Sequence, residues 1–269
     1  MATSALPRRR RPPIAVVAVA TVTVGFLALP LVGLLAKAPW STLWTDLTSP
    51  VAVDALRLSL VCSLWATGLS VVFGLPLAWI LARTEFPGRN LVRALTILPM
   101  VLPPVVGGVA LLLAFGRGGF LGRPLFDWFG IQFTFSIAGV VLAETFVAMP
   151  FLIITVEAAL RSMDGRYEEA ASSLGAGRWT VFRRVTLPLI SPSLIAGAAL
   201  TWARALGEFG ATITFAGDIQ GRTQTLPLAV YLALESNEQV AVALSLALLA
   251  VSVVVLVSLR GRWLGAIAP

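Results

Sequence analysis

Apolar positions in this chain fall in long unbroken blocks separated by short polar stretches. Six blocks stand out, near Ile14–Ala36, Leu56–Ala82, Ala94–Phe115, Phe135–Leu160, Leu189–Ala211 and Val240–Leu259. Most approach the roughly 20 residues that a helix needs to cross about 30 Å of hydrocarbon. The blocks are continuous, whereas a transmembrane barrel strand alternates apolar and polar residues over short segments. Helices satisfy their own backbone hydrogen bonds inside lipid, so the pattern predicts about six spanning helices.

The connecting stretches are distinct in character. Lys37 to Asp54 is more polar and carries Trp40 and Trp44, residues suited to a membrane interface. The third block is interrupted by Pro99, Pro103, Pro104, Gly107 and Gly108. Each internal proline removes a helix hydrogen bond, and in lipid the freed groups need protein or water. That places the third span against the protein interior or a pore, or makes it a packed kink. Gly116–Gly122 reads as a turn, 161–186 as a long polar loop, and Gly217–Glu238 as a mixed segment.

Composition agrees with a membrane protein. Of 269 residues, 58% are hydrophobic and only 12% charged, about half of the quarter usual for soluble domains. The net charge of +7 would suggest nucleic acid in a soluble protein; here it sets orientation, and no nucleic-acid partner is expected. With the N-terminus inside, Arg8 to Arg11, Arg83, Arg89, Arg93, Arg161, Arg166, Arg178, Arg183, Arg184, Arg260 and Arg262 are cytoplasmic. The other side holds only Lys37, Arg57, Arg117, Arg123 and Arg222. Both termini are therefore expected in the cytoplasm, with residues 1–13 a cytoplasmic tail and 14–269 the transmembrane domain. The basic run before Ile14 also resembles a signal-peptide n-region. The following apolar stretch is too long for an h-region, and reads as the first span.

Several chemistries are absent. There is no histidine, which removes histidine acid–base catalysis and most zinc or haem sites. The single cysteine, Cys62, sits in an apolar run and cannot form an intrachain disulfide. Lys37 lies between two alanines, so no Gly-x-x-x-x-Gly-Lys-Ser/Thr phosphate loop exists. Any ATP hydrolysis belongs to another chain.

The 161–186 loop carries the most organised signal. Asp164 is placed to cap a helix whose first turns hold Glu168 and Glu169, where the macrodipole favours negative charge. Ala170 and Ala171 favour helix, and Gly175 is a natural left-handed stop. Trp179, Phe182 and Val185 share a face at helical spacing, and Pro188 is expected to close this second helix before the fifth span. The product is a helix–turn–helix at the membrane surface.

These residues resemble the Glu-Ala-Ala loop of ABC importer permeases. Glu169-Ala170-Ala171 is followed at the family spacing by Gly175, by Val185 in place of the usual isoleucine, and by Leu187-Pro188. In that family the loop is a coupling helix that docks on the ATPase subunit. A second stretch, Arg204 to Gly217 with Gly221 to Leu228, is similar to the molybdate permease subfamily, as is Leu98 to Gly108. The resemblance runs from about Leu56 onward and is shared in part by sulfate and thiosulfate permeases. It implies an all-α, polytopic protein with the type I ABC importer permease fold and a coupling loop at about 161–188. It also implies an importer in the bacterial cytoplasmic membrane that moves a tetrahedral oxyanion, molybdate first, with tungstate or sulfate as alternatives. The implied partners are two ATPase subunits, an external substrate-binding protein and a second permease copy. No cofactor is expected on this chain, ATP and magnesium being held by the ATPase.

Charges inside predicted spans are functional candidates. Arg204 and Glu208 are four apart and expected to pair on one helix face, while Glu144 and Glu208 would repel an oxyanion unless paired. A tetrahedral dianion is better served by backbone N–H groups, hydroxyls and helix N-termini. The pathway or gate candidates are Pro103, Pro104, Gly107, Gly108, Arg204, Glu208, Thr212 and Thr214. Each threonine can instead bond its own helix backbone. An ion-coupled secondary transporter, using Arg204, Glu208 and Glu144 as a relay, is the reading from a different class.

Overall fold

The structure, a computed structural model, describes residues 13–265. The basic run Arg8–Arg11 and the expected N-terminal tail up to residue 12 lie outside the described residues. Helix is the regular structure throughout, with no strand among the described residues. In chain order the elements are α1 (Ile14–Ala36), α2 (Leu43–Leu47), α3 (Pro50–Arg83), α4 (Arg89–Val101), α5 (Pro104–Phe115) and α6 (Gly122–Phe129). They continue with α7 (Ile137–Ser162), α8 (Arg166–Ser173), α9 (Arg178–Val181), a π-helical turn (Phe182–Thr186), α10 (Leu187–Leu206), α11 (Gly210–Ala216), α12 (Leu226–Ser236) and α13 (Glu238–Gly265).

Five stretches are long and apolar enough to cross a membrane: α1, α3, α7, α9 to α10 taken together, and the Glu238–Val255 part of α13. The pair α4–α5 counts as a sixth only if its 118° bend is taken within one span.

At the centre lie α3, α7 and α10. Apart from Leu58 and Leu81, the buried residues of α3 are small: Ala52, Ala55, Ser59, Cys62, Ser63, Ala66, Ser70, Gly74 and Ala78. They recur every three or four positions, which puts them on one face. Lipid provides no hydrophobic drive between helices, so small residues that admit close backbone approach hold the pair. Gly74 shows the fit. A Cβ there would stand 3.1 Å from both Ile153 and Leu152 of α7. A Cβ on Gly197 of α10 would likewise stand 3.2 Å from Thr155 of α7. Side-chain hydrogen bonds fasten α3 to its neighbours: Trp202 Nε1 of α10 donates to Ser63 Oγ at 2.8 Å, and the Leu226 N–H at the start of α12 donates to Ser59 Oγ at 2.7 Å. Helix α12, with α13, buries its apolar side against Ala52 and Ala55. Helix α1 is exposed along nearly its whole length.

Several expected boundaries move, each for a local reason. The second span begins at Pro50 rather than Leu56, because Ser49 caps it (Ala52 N–H to Ser49 Oγ, 3.3 Å) and Pro50 fits the first helical turn. The third span is not one helix. Leu102 is extended, as a residue before proline tends to be, and Pro103 and Pro104 end α4 and start α5 in a new direction. The fifth span ends at Leu206; of its expected last residues, 207–209 form a link and Gly210 and Ala211 begin the separate helix α11. Pro188 does not close a helix. It sits in the first turn of α10, directly after the π-turn, whose wider register absorbs the missing N–H. The mixed segment contains α12, whose apolar face is too short to read as a span.

Candidate functional site

Helix α8 stands at the end of the bundle where α3, α7 and α10 meet. Asp164 helps start it from outside: its Oδ1 accepts the Arg166 N–H at 3.0 Å, while Gly165 occupies the cap position that sequence assigned to Asp164. Glu168 and Glu169 lie in the first turn. Gly175 ends the turn region with φ +84°, a left-handed conformation that disfavours a Cβ. Nothing lies within 4 Å of a Cβ built there, so conformation rather than space requires the glycine.

The candidate coupling residues are only partly exposed. Glu169, Ala170, Gly175 and Pro188 are exposed, and Ala171, Val185 and Leu187 are half-buried. Large apolar groups stand out beside them: Leu174 is 90% exposed and Trp179 71%. Trp179 stacks on Phe182 with ring centroids 5.7 Å apart. Val185 falls within the π-turn, so the regular three-residue face expected from Trp179 onward is interrupted there.

Beneath α8 lies a network that sequence reasoning did not find. Glu157 accepts from Arg93 Nη2 at 2.6 Å and lies 2.9 Å from Arg161 Nη2. Arg89 and Arg161 both donate to the carbonyl of Leu81 (Nη2 distances 2.6 and 3.3 Å), one of the carbonyls left free at the end of α3. Glu168 lies 3.1 Å from Arg83 and accepts from Thr186. These arginines were legible only as orientation signals. Only Arg161, four residues from Glu157, has a partner at a spacing that helix rules reveal; other contacts reach up to 80 residues away, which spacing along the chain cannot reveal.

The candidate pathway residues divide into two groups. Pro103 and Pro104 are exposed at the α4–α5 break, and Gly107 and Gly108 are buried below it. Gly108 meets α11 so closely that a Cβ would stand 2.6 Å from Thr214 Cβ and 2.9 Å from the Ala211 carbonyl. Gly210 does the same against Pro104, at 2.7 Å. The two short helices therefore cross at a pair of glycines.

Arg204 and Glu208 pair as expected, Nη2 to Oε2 at 2.6 Å. They do not share a helix, however: α10 ends at Leu206 with Gly207 as its C-cap, and Glu208 lies in the link. Its second oxygen, Oε1, accepts the Ala211 N–H at 2.8 Å and so caps the start of α11. The N-terminus of α11 is thus already met by a carboxylate of the same chain. Glu208 is 1% exposed, as is Glu144 of α7, and Glu144 Oε2 has no hydrogen-bond partner among the described residues. Thr214 bonds its own helix, to the Gly210 carbonyl at 2.8 Å. Thr212, fully buried, has no hydroxyl partner among the described residues.

A bundle of long apolar helices with a sharply bent helix pair and an exposed two-helix loop is the architecture of a polytopic membrane protein. Residues 74–266 match the family of binding-protein-dependent transport system inner membrane components, and the chain belongs to that family. Among its relatives, the molybdenum transport system permease protein ModB of Mycobacterium tuberculosis is 47% identical over 88% of this chain and 89% of its own length. ModB of Escherichia coli is 44% identical, over 80% of this chain and 94% of its own. The sulfate transport system permease protein CysT of Escherichia coli is 41% identical, over 87% and 86%. In fold the chain is similar to a bacterial ABC transporter involved in import of the acidic polysaccharide alginate (TM-score 0.70, 20% identity, 92% and 93% covered). It is also similar to the MetNI methionine ABC transporter in inward-facing form (TM-score 0.62, 20% identity, 81% and 96% covered). The fold is that of type I ABC importer permeases, and the chain is a multi-pass inner membrane protein.

Proposed function

We propose that this chain is the permease subunit of an ABC importer for molybdate, working as a homodimer with both termini in the cytoplasm. The observation that carries this reading is the 47% identity to ModB over 88% of the chain. The exposed side of α8 supports it, since Glu169 and Ala170 at its surface and the Gly175 turn after it are open to a partner. Two ATPase subunits dock there and supply the ATP and magnesium chemistry. A binding protein outside delivers the anion. ATPase closure moves α8, and the spans rock between inward-facing and outward-facing states.

The broken span argues for a second copy. Pro103, Pro104, Val105 and Val106 are exposed around the α4–α5 break. Irregular backbone is tolerated at membrane depth only where protein or water covers it. A second permease placed on this face covers it, and the anion path runs between the two copies. Glu208 is neutralised by Arg204 and engaged by α11, which leaves the oxyanion to hydroxyls and backbone N–H groups along the α5–α11 crossing.

A sulfate permease is the second reading, favoured by the 41% identity to CysT. Reconstitution with the ATPase and binding protein separates the two. Molybdate is expected to stimulate ATP hydrolysis and uptake at lower concentration than sulfate; the reverse order overturns the molybdate assignment. An ion-coupled secondary transporter would move anion without an ATPase and would respond to an ion gradient. Failure to co-purify with an ATPase in mild detergent would favour it.

A further inference from the structure

Glu168 and Glu169 are adjacent but face different ways. Glu169 is exposed, whereas the side chain of Glu168 is only 23% exposed and points back into the bundle. Its Oε1 accepts from Thr186 Oγ1 at 2.6 Å. Its Oε2 lies 3.1 Å from Arg83 Nη2, an ion pair rather than an aligned hydrogen bond. The two oxygens therefore reach two different spans. Arg83 is the last residue of α3, and Thr186 is the last residue of the π-turn that leads into α10.

Both attachments are placed to matter. Thr186 is 1% exposed, so water cannot replace the carboxylate if the bond breaks. The π-turn is a single wide turn inside an otherwise continuous helical stretch, a form that recurs at functional sites. Arg83 stands at the end of α3, close to where Arg89 and Arg161 meet the Leu81 carbonyl.

We propose that Glu168 is a positioning residue, a strut that carries displacement of α8 into α3 and α10 together, while Glu169 beside it is left free for the partner. The inference rests on reading α8 as the coupling helix and adds the path by which its motion enters the membrane. A carboxylate held by two spans transmits a push to both. One held by neither lets α8 move without them.

The test uses the assembled transporter, permease with ATPase and binding protein, in lipid nanodiscs for hydrolysis and proteoliposomes for uptake. Glu168→Gln weakens the ion pair and keeps an acceptor for Thr186; Thr186→Val removes only the hydrogen bond; Glu168→Ala removes both. Each is expected to retain the ATPase in pull-downs. Uptake per ATP hydrolysed is expected to fall about tenfold in Glu168→Ala and less in the other two, as for loss of a charge-assisted hydrogen bond. The exchanged pair Glu168→Arg with Arg83→Glu is expected to recover part of what Glu168→Arg alone loses.

Unchanged uptake per ATP in Glu168→Ala overturns the strut, as does loss of ATPase binding in that variant, which would make Glu168 a docking residue. Absence of ATPase binding by the unaltered permease overturns the coupling-helix reading itself. Thr186→Val removes a single hydroxyl, so it reports on the strut even where Glu168→Ala fails to assemble.

Discussion

Gly175, Glu208 and Asp218 show how much single residues decide here. Gly175 has open space around it and φ +84°. Gly175→Ala is expected to destabilise that turn by ~1–2 kcal/mol, the strain of a left-handed non-glycine residue. Transport assays should show lost uptake with unchanged membrane insertion; full activity would count against the turn's role. Glu208 links an arginine at the end of α10 to the first turn of α11, a duty that no spacing rule assigned to it. Asp218 lies in the connection between α11 and α12, outside the spanning helices. Burial pushes its carboxyl above the usual 3.8, opposed in part by the neighbouring Gln224 side chain. The folded protein then holds a proton that the unfolded chain has lost, so stability falls as pH rises from 3.8 through the raised value. Asp218→Asn is expected to raise the unfolding temperature in detergent at pH 7, with the gain shrinking as pH falls toward 4; an equal gain at both pH values would sink the idea.

At the scale of elements, α3 works as a smooth rail. Its small residues let α7 and α10 approach, and polar groups on the same face fix the register. Ser63 and Trp202 test this directly. A cycle of Ser63→Ala, Trp202→Phe and the double variant is expected to give a coupling of about 0.5–1.5 kcal/mol, the usual net worth of a hydrogen bond. Additive effects on detergent unfolding would mean that the contact is incidental. The α4–α5 break is set by a different logic. Pro103 and Pro104 make a continuous helix impossible, and Gly108 and Gly210 then allow the redirected α5 to cross α11.

For the whole molecule, one protomer leaves an apolar and irregular face uncovered around α5. Val106 lies on it, 48% exposed. With the buried Cys62 replaced by alanine, Val106→Cys is expected to crosslink two permeases into a species of twice the mass on mild oxidation. A cysteine on α1, such as Leu29→Cys, is expected to remain monomeric, because an unbroken apolar helix satisfies its own backbone hydrogen bonds in lipid and needs no second copy to cover it. The opposite pattern would place the second copy elsewhere and remove the proposed path between copies.

The amino-acid sequence alone determined the class of fold, because apolar block length is a direct consequence of bilayer thickness. It also determined the Glu169–Gly175 loop, whose alanines, acidic first turn and glycine stop act between near neighbours. The Arg204–Glu208 pair was legible for the same reason, four residues apart. Other features were decided only by tertiary structure. Pro188 reads as a stop until the preceding π-turn absorbs it, and the third block reads as one span until its halves diverge by 118°. Glu168 reads as a helix-start charge until Arg83 and Thr186 are brought to its two oxygens. Glu157, silent in sequence, gathers Arg93 from 64 positions away. Local rules act over a helical turn, whereas these contacts join residues that meet only when the spans pack side by side.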